Sequence, residues 1–204
     1  SGAPGSVTSL FVRAGESNYT KVLLDGIPLN EPGGVFNLSN VTTENLDRVE
    51  FVRGANSAVY GSDAMTGVIQ LFTRRGRTAK PEFRLRAEGG SFSTARGSAG
   101  VSAKNGPFDY SADVAGITTN NEVPNNEFDN TTLSGSAGAE LGHGASLRFV
   151  GRTERGLTGT PGQTAFGRPD LDAFFRRHDG TWGLSFDQTA GALHQRASYG
   201  LAMS

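Results

Sequence analysis

The chain has 204 residues, 29 of them Gly and 13 Phe, no Cys, and a formal net charge of −1. That balance argues against a nucleic-acid partner, which calls for a basic face, and the lack of cysteine excludes a disulfide scaffold and a thiolate metal or redox site. No stretch reaches the ~18 apolar residues of a spanning helix. A membrane β-barrel averages to similar hydropathy, however, so the mean of −0.34 does not decide location. The opening Ser1-Gly2-Ala3-Pro4-Gly5-Ser6 shows no secretory leader, which is expected either to have been removed or to lie in a longer precursor.

Up to about residue 79, short apolar runs are punctuated by Gly, Pro, Asn and Asp. Phe11-Val12-Arg13 and Lys21-Val22-Leu23-Leu24 read as strands, and Asp25-Gly26 turns the second into the extended Ile27-Pro28-Leu29. Asn30-Glu31-Pro32-Gly33-Gly34 is a loop. Asn40 is placed to cap a short helix over Thr42 to Asp47, with Glu44 favourable to its dipole. Val49-Glu50-Phe51-Val52 is a strand ending at Arg53-Gly54; Ser57 to Tyr60 predicts a helical turn, and Val68 to Thr73 a further strand. Together these predict a small mixed α/β domain.

From residue 80 to 204 helical periodicity gives way to period two. Phe83, Leu85 and Ala87 alternate with Arg84, Arg86 and Glu88, and Phe108, Tyr110, Ala112 and Val114 alternate with Asp109, Ser111 and Asp113. The same holds around Leu133, Leu147, Phe149, Trp182, Leu184 and Tyr199. About seven antiparallel strands of ~10 residues follow, joined by tight turns (Asn105-Gly106-Pro107, Gly142-His143-Gly144, Ala190-Gly191) and longer loops, Thr118 to Asn130 and Glu154 to Phe175. The charged face suits a wet or plugged lumen better than a dry core. A soluble sheet with one solvated face shares this pattern, so periodicity leaves both open.

Three consecutive stretches resemble the plug domain of TonB-dependent outer-membrane receptors. They are Ser9 to Asn18 with Lys21 to Pro28, then Leu46-Asp47-Arg48-Val49-Glu50-Phe51-Val52-Arg53-Gly54, then Ser57 to Leu71 with Tyr60-Gly61 and Thr66-Gly67. Ala14 and Thr66 stand where the family usually has Gly. Within the family the likeness leans to cobalamin-transporter-like members. The resemblance implies a plug (residues 1–79, its C-terminal part) followed by the first strands of a transmembrane β-barrel (80–204), about seven of 22. An open set of strands leaves edges that a membrane does not tolerate. The first half of the plug and the TonB box are accordingly expected upstream, and about fifteen strands downstream.

The resemblance further implies a non-enzymatic receptor of the bacterial outer membrane. Its ligand would be a scarce, bulky nutrient, a siderophore–metal chelate or cobalamin, and its partners TonB, outer-membrane lipid and that small molecule, with no cofactor. Arg13 and Arg53 match plug arginines that meet barrel carboxylates, here expected beyond Ser204, in a charge lock. Asp25, Gly26, Gly54, Tyr60, Gly61 and Gly67 match the plug's structural motif, the glycines being expected where the chain turns sharply. Asn30, Glu31, Phe36 and Asn37 correspond to an apex facing the ligand vestibule. The Asn-rich 118–130 loop lacks Ca²⁺-loop spacing and reads as a solvated connector. His143, His178 and His194 form no metal pattern, and no catalytic motif is present. Two other readings stay open: a non-transporting structural or adhesive β-protein, and a receptor that also signals to transcription.

Overall fold

The computed structural model of the chain describes residues 3–12, 15–31, 36–55, 57–61, 63–162 and 170–203. Two sheets account for its strands. The first is four-stranded and mixed, in the order β2-β1-β4-β3, built from β1 (Thr20–Leu24), β2 (Ile27–Pro28), β3 (Leu46–Arg53) and β4 (Gly67–Thr73). β1 runs parallel to β4, with Val22 opposite Ile69. As a central strand covered on both faces, β1 is apolar throughout its second half. Val22 and Leu24 pack with Leu29, Ile69 and Leu71 on one side, and Leu23 packs with Ala64 and Val68 on the other.

Helical content is lower than the sequence suggests. The helix α1 spans Ser57–Tyr60, and two 3₁₀ turns cover Ser17–Tyr19 and Leu38–Asn40. The expected helix over Thr42 to Asp47 does not form. The Asn37 side chain caps one turn earlier, its Oδ1 accepting the N–H groups of Ser39 and Thr8 at 3.1 and 2.9 Å. Leu46 onward then pairs with β4. Phe11 and Val12 are not in a strand, and Arg13 and Ala14 lie outside the described residues.

The second sheet is wholly antiparallel and in sequence order: β5 (Glu82–Gly90), β6 (Thr94–Asn105), β7 (Phe108–Thr119), β8 (Phe128–Gly142), β9 (Ala145–Gly159), β10 (Phe174–Ala190) and β11 (Leu193–Met203). These strands run from 9 to 17 residues, all but β5 longer than expected. β9 continues through the polar Glu154-Arg155 pair to Gly159, so the loop that follows is shorter than its composition implies. Residues 106–107, 143–144 and 191–192 make the tight turns of one rim; 91–93, 120–127 and, among the described residues between β9 and β10, 160–162 and 170–173 lie at the other.

Facing is consistent along the sheet. Phe83, Leu85, Tyr110, Val114, Leu133, Phe149, Leu184 and Tyr199 are exposed on one face, whereas Ser102, Asp109, Ser111, Asp113, Thr132, Ser136 and Glu154 are buried on the other, against the plug. A soluble sheet would reverse that preference. An apolar outer band over a polar, plug-covered face is the arrangement of an outer-membrane barrel wall. Among the described residues no helix is long and apolar enough to cross a membrane.

Candidate functional site at the plug–wall contact

Glycines let the polar face of the wall pack. The Arg84 guanidinium meets the Asp113 carboxylate at 3.1 Å, and the pair straddles β6 directly over Gly100, which is opposite both residues. Gly138 of β8 plays the same part beneath Arg148 and Asp109, a two-pronged pair at 2.8 and 3.1 Å. A Cβ at Gly100 would stand 2.6 Å from Asp113 Cγ, and one at Gly138 2.6 Å from Asp109 Oδ2. Further up β9, Arg152 pairs with the buried Glu154 at 2.7 Å.

The plug engages this wall along its height. Near the long-loop rim, Glu31 accepts from Arg177 of β10 at 2.6 Å, and Arg177 also pairs with Asp179. Glu44 meets Arg96 of β6 at 3.3 Å, and the Pro4 carbonyl accepts from Asn121 at 3.0 Å. Midway, the hydroxyls of Ser111 and Ser136 both donate to the Arg74 carbonyl, at 2.7 and 3.0 Å. Lower down, the plug chain runs against β6: the Lys104 N–H donates to the Thr78 carbonyl at 2.8 Å, and Gly76 lies so close to Ala103 that no side chain fits there.

The most shape-specific contact is the tip of the β1–β2 hairpin. Asp25 and Gly26 both take positive φ, 49° and 91°, the geometry of a two-residue hairpin turn. This turn presents Ile27, 3% exposed, to Gly183 of β10 and Gly200 of β11, which face each other across the ladder. A Cβ on Gly183 would lie 2.9 Å from Ile27 Cδ1, and one on Gly200 2.7 Å from its Cγ2. Val150, the one apolar side chain among its polar β9 neighbours on this face, lies beside Gly183. Beside the tip is a polar cavity of about 250 Å³, lined by Asp25, Gln70, Arg75, Arg148, Asp187 and Arg196 among others.

The residues singled out from sequence fall in several places. Asp25 accepts from the N–H and hydroxyl of Thr73, locking the hairpin turn onto β4. Tyr60 accepts from Gln70 at 3.1 Å and packs on the Leu23 cluster. Gly54 and Gly61 take positive φ at their turns. Gly67 instead opens β4, where a Cβ would crowd the Val52 carbonyl at 3.0 Å. Of the apex residues, Asn30 braces β1 by accepting from the Val22 N–H and donating to the Thr20 carbonyl, and Phe36 packs on the plug core. Glu31 reaches the wall. Arg53 is exposed, its guanidinium 5.8 Å from the Phe51 ring centre, and among the described residues it meets no carboxylate. Arg13 lies outside the described residues. Among the described residues no cluster of His, Cys, Asp and Glu is arranged to hold a metal.

Sequence reasoning missed the Ile27 socket, the serine pair on the Arg74 carbonyl, and the partners of Glu31 and Glu44. An apolar Val150 in a polar row and two inward-facing glycines were the only local signs of the socket.

A sheet with an apolar outer face and a domain packed against its polar inner face is laid out like part of the wall of a plugged outer-membrane barrel. Residues 1–68 match the TonB-dependent Receptor Plug Domain. The match covers a third of this chain and agrees with the plug motifs read in its sequence. The chain's fold is shared with the ferric-catecholate import receptor Fiu of E. coli K12 in its open form (TM-score 0.74, 17% identity, 95% of this chain and 33% of that one). It is shared also with the alcaligin outer-membrane receptor FauA of Bordetella pertussis (TM-score 0.70, 17%, 97% and 34%). The ferripyoverdine receptor of the Pseudomonas aeruginosa outer membrane, bound to ferripyoverdine, is similar too (TM-score 0.65, 14%, 82% and 25%). Identities this low speak to the fold. The chain spans a quarter to a third of the length of these receptors.

Proposed function

We propose that the receptor containing this chain sits in the bacterial outer membrane and imports a ferric siderophore, the plug moving when TonB pulls on a segment outside this chain. In this reading residues 1–79 are plug and 80–204 the first wall strands. The observation that carries the proposal is a plug held to the inner wall by separable contacts, an ion pair at the Glu31 apex and a keyed hairpin below it. Such contacts let a plug stay shut at rest and still be displaced. The solved receptors named for ferric catecholate, alcaligin and ferripyoverdine favour an iron chelate over cobalamin. Arg13 and Arg53 join the charge lock with carboxylates outside the described residues.

Uptake by cells expressing the receptor tests this. Radiolabelled iron should enter as a ferric catecholate, hydroxamate or pyoverdine-type chelate, and TonB depletion should abolish entry. Entry of labelled cobalamin with none of these chelates would reassign the ligand. Accumulation that persists without TonB would overturn the transport mechanism.

A further inference from the structure

The outer face of the wall carries almost no charge. On β5, β6 and β7 the outward positions are Phe, Leu, Ala, Val, Tyr, Gly, Thr and Asn. Tyrosines aside, the outward ionisable strand residues, among those described, are Asp129 on β8, Arg155 on β9, and Arg176 and His178 on β10. All four fall in one patch on three adjacent strands. His178 is directly opposite Arg155, and Arg176 is opposite Leu157, so the two guanidiniums are diagonal neighbours.

Height along the wall explains why charge is tolerated there. From Leu147, just above the Gly142-His143-Gly144 turn, to Arg155 is eight residues of β9. With a rise of ~3.4 Å per residue and a tilt of ~40°, that is about 21 Å toward the long-loop rim. An apolar band is ~25 Å tall, so Arg155 and His178 lie at its upper edge, with Arg176 just above. At midplane such residues would be expelled; at this level they meet headgroups.

Neither guanidinium pairs with a carboxylate among the described residues. Asp129 lies diagonal to Arg155 across the β8–β9 ladder, leaving one outward strand carboxylate against two arginines and an imidazole. Beside Arg176 a groove of about 230 Å³ runs between Phe174, Leu157 and Gly159, with Asn125 and Glu127 at its loop end. Apolar walls with a cationic flank suit an amphiphile.

We propose that Arg155, Arg176 and His178 form a binding site for the phosphate of a lipid headgroup in the leaflet on the long-loop side. Two guanidinium forks that meet no carboxylate among the described residues, Arg176 lying 5.8 Å from the Phe174 ring centre, match tetrahedral phosphate oxygens, and the imidazole adds an N–H donor from the same face. Phe174 and Leu157 contact the lipid's apolar part. The site rests on the membrane-wall reading and is independent of which ligand is imported.

The test uses the delipidated receptor in detergent, titrated with bis-phosphorylated lipid A and with its dephosphorylated form, and read by native mass spectrometry. The phosphorylated lipid should bind preferentially. Arg155→Gln with Arg176→Gln should weaken it about tenfold, equivalent to ~1.4 kcal/mol. Arg155→Lys with Arg176→Lys should keep most of the binding, which separates charge recognition from a folding defect. Equal binding of the two lipids, or no loss in the glutamine variant, would overturn the site. So would displacement by inorganic phosphate at lipid-equivalent concentration, which would mark a free-anion site. A receptor that leaves the membrane fraction intact without detergent would overturn the membrane reading itself.

Discussion

If the hairpin tip is a key in a wall socket, truncating the key and filling the socket should each harm the plug, and the two changes together should harm it less than their sum. Ile27 is 3% exposed and inserts where Gly183 and Gly200 lack side chains. Truncating a buried Ile to Ala costs ~2–5 kcal/mol in a dry core. The socket borders a polar cavity, so the lower end, ~2 kcal/mol, is expected for Ile27→Ala, an increase of roughly thirtyfold in the population of plugs with a free tip. Gly183→Ala places a Cβ 2.9 Å from Ile27 Cδ1, and overpacking of that kind costs ~1–3 kcal/mol. In the double variant the new methyl occupies space the isoleucine left, giving a favourable coupling of ~1 kcal/mol. Hydrogen exchange at the Val22, Leu23 and Leu24 amides, measured on the receptor in detergent, reports the opening directly. Wild-type exchange in Ile27→Ala, or strict additivity in the double variant, would refute the socket.

Three further outcomes are expected. Gly100→Ala and Gly138→Ala should each lower the urea midpoint of barrel unfolding by displacing the ion pair above, at ~1–3 kcal/mol per site; unchanged midpoints would mean that the pairs re-form elsewhere in a wet lumen. Arg53→Ala should raise ion leakage through reconstituted channels while ligand affinity falls less, since removing one member of a lock strands its partner; wild-type leakage and transport would make Arg53 a surface residue. In the 160–173 connection the Asp170 carboxylate accepts from the Asp172 and Ala173 N–H groups, which holds its pKa below the usual carboxylate value. A depressed folded pKa means that the support is present above the unfolded value, ~3.9, and is lost as pH falls through the lower folded one. Amide protection at Asp172 and Ala173 should therefore fall only under strong acid, and loss already at neutral pH would exclude the bond.

The sequence showed the wall more clearly than the plug. Period two survives in every wall strand because one side is an exposed apolar face and the other packs against a polar plug, so residue type follows facing directly. Strand ends were less legible: Glu154 and Arg155 resemble a loop until Glu154 is seen to pair inward with Arg152 while Arg155 faces out. In the plug, the helix expected after Asn40 failed because Asn37 offers a cap three residues earlier, and propensity alone does not choose between two caps. The contacts between the sheets were almost illegible. That Glu31 meets Arg177, 146 positions away, depends on how two sheets dock, which no local pattern encodes. Gly100 and Gly138 look like weak strand residues in one dimension, yet each sits beneath an ion pair whose members come from the strands on either side.

Those contacts differ in kind along the height of the plug, and this bears on how it is released. Toward the long-loop rim they are mainly polar, Glu31 with Arg177, Glu44 with Arg96 and the Pro4 carbonyl with Asn121. Lower down they include shape-specific ones, Ile27 in its socket and Gly76 against Ala103. Part-exposed ion pairs are screened over ~8 Å at physiological salt and yield to a competing anion, whereas apolar packing does not. Under the proposed function, an anionic chelate arriving from the loop side would loosen the apex while the hairpin tip stays seated, and freeing the tip would require work applied elsewhere on the plug. Raising ionic strength should accordingly speed amide exchange around Glu31 and Glu44 several-fold and leave the Val22 to Leu24 amides unchanged. Parallel acceleration of both regions would show that the plug opens as one unit, and a two-stage release would then be wrong.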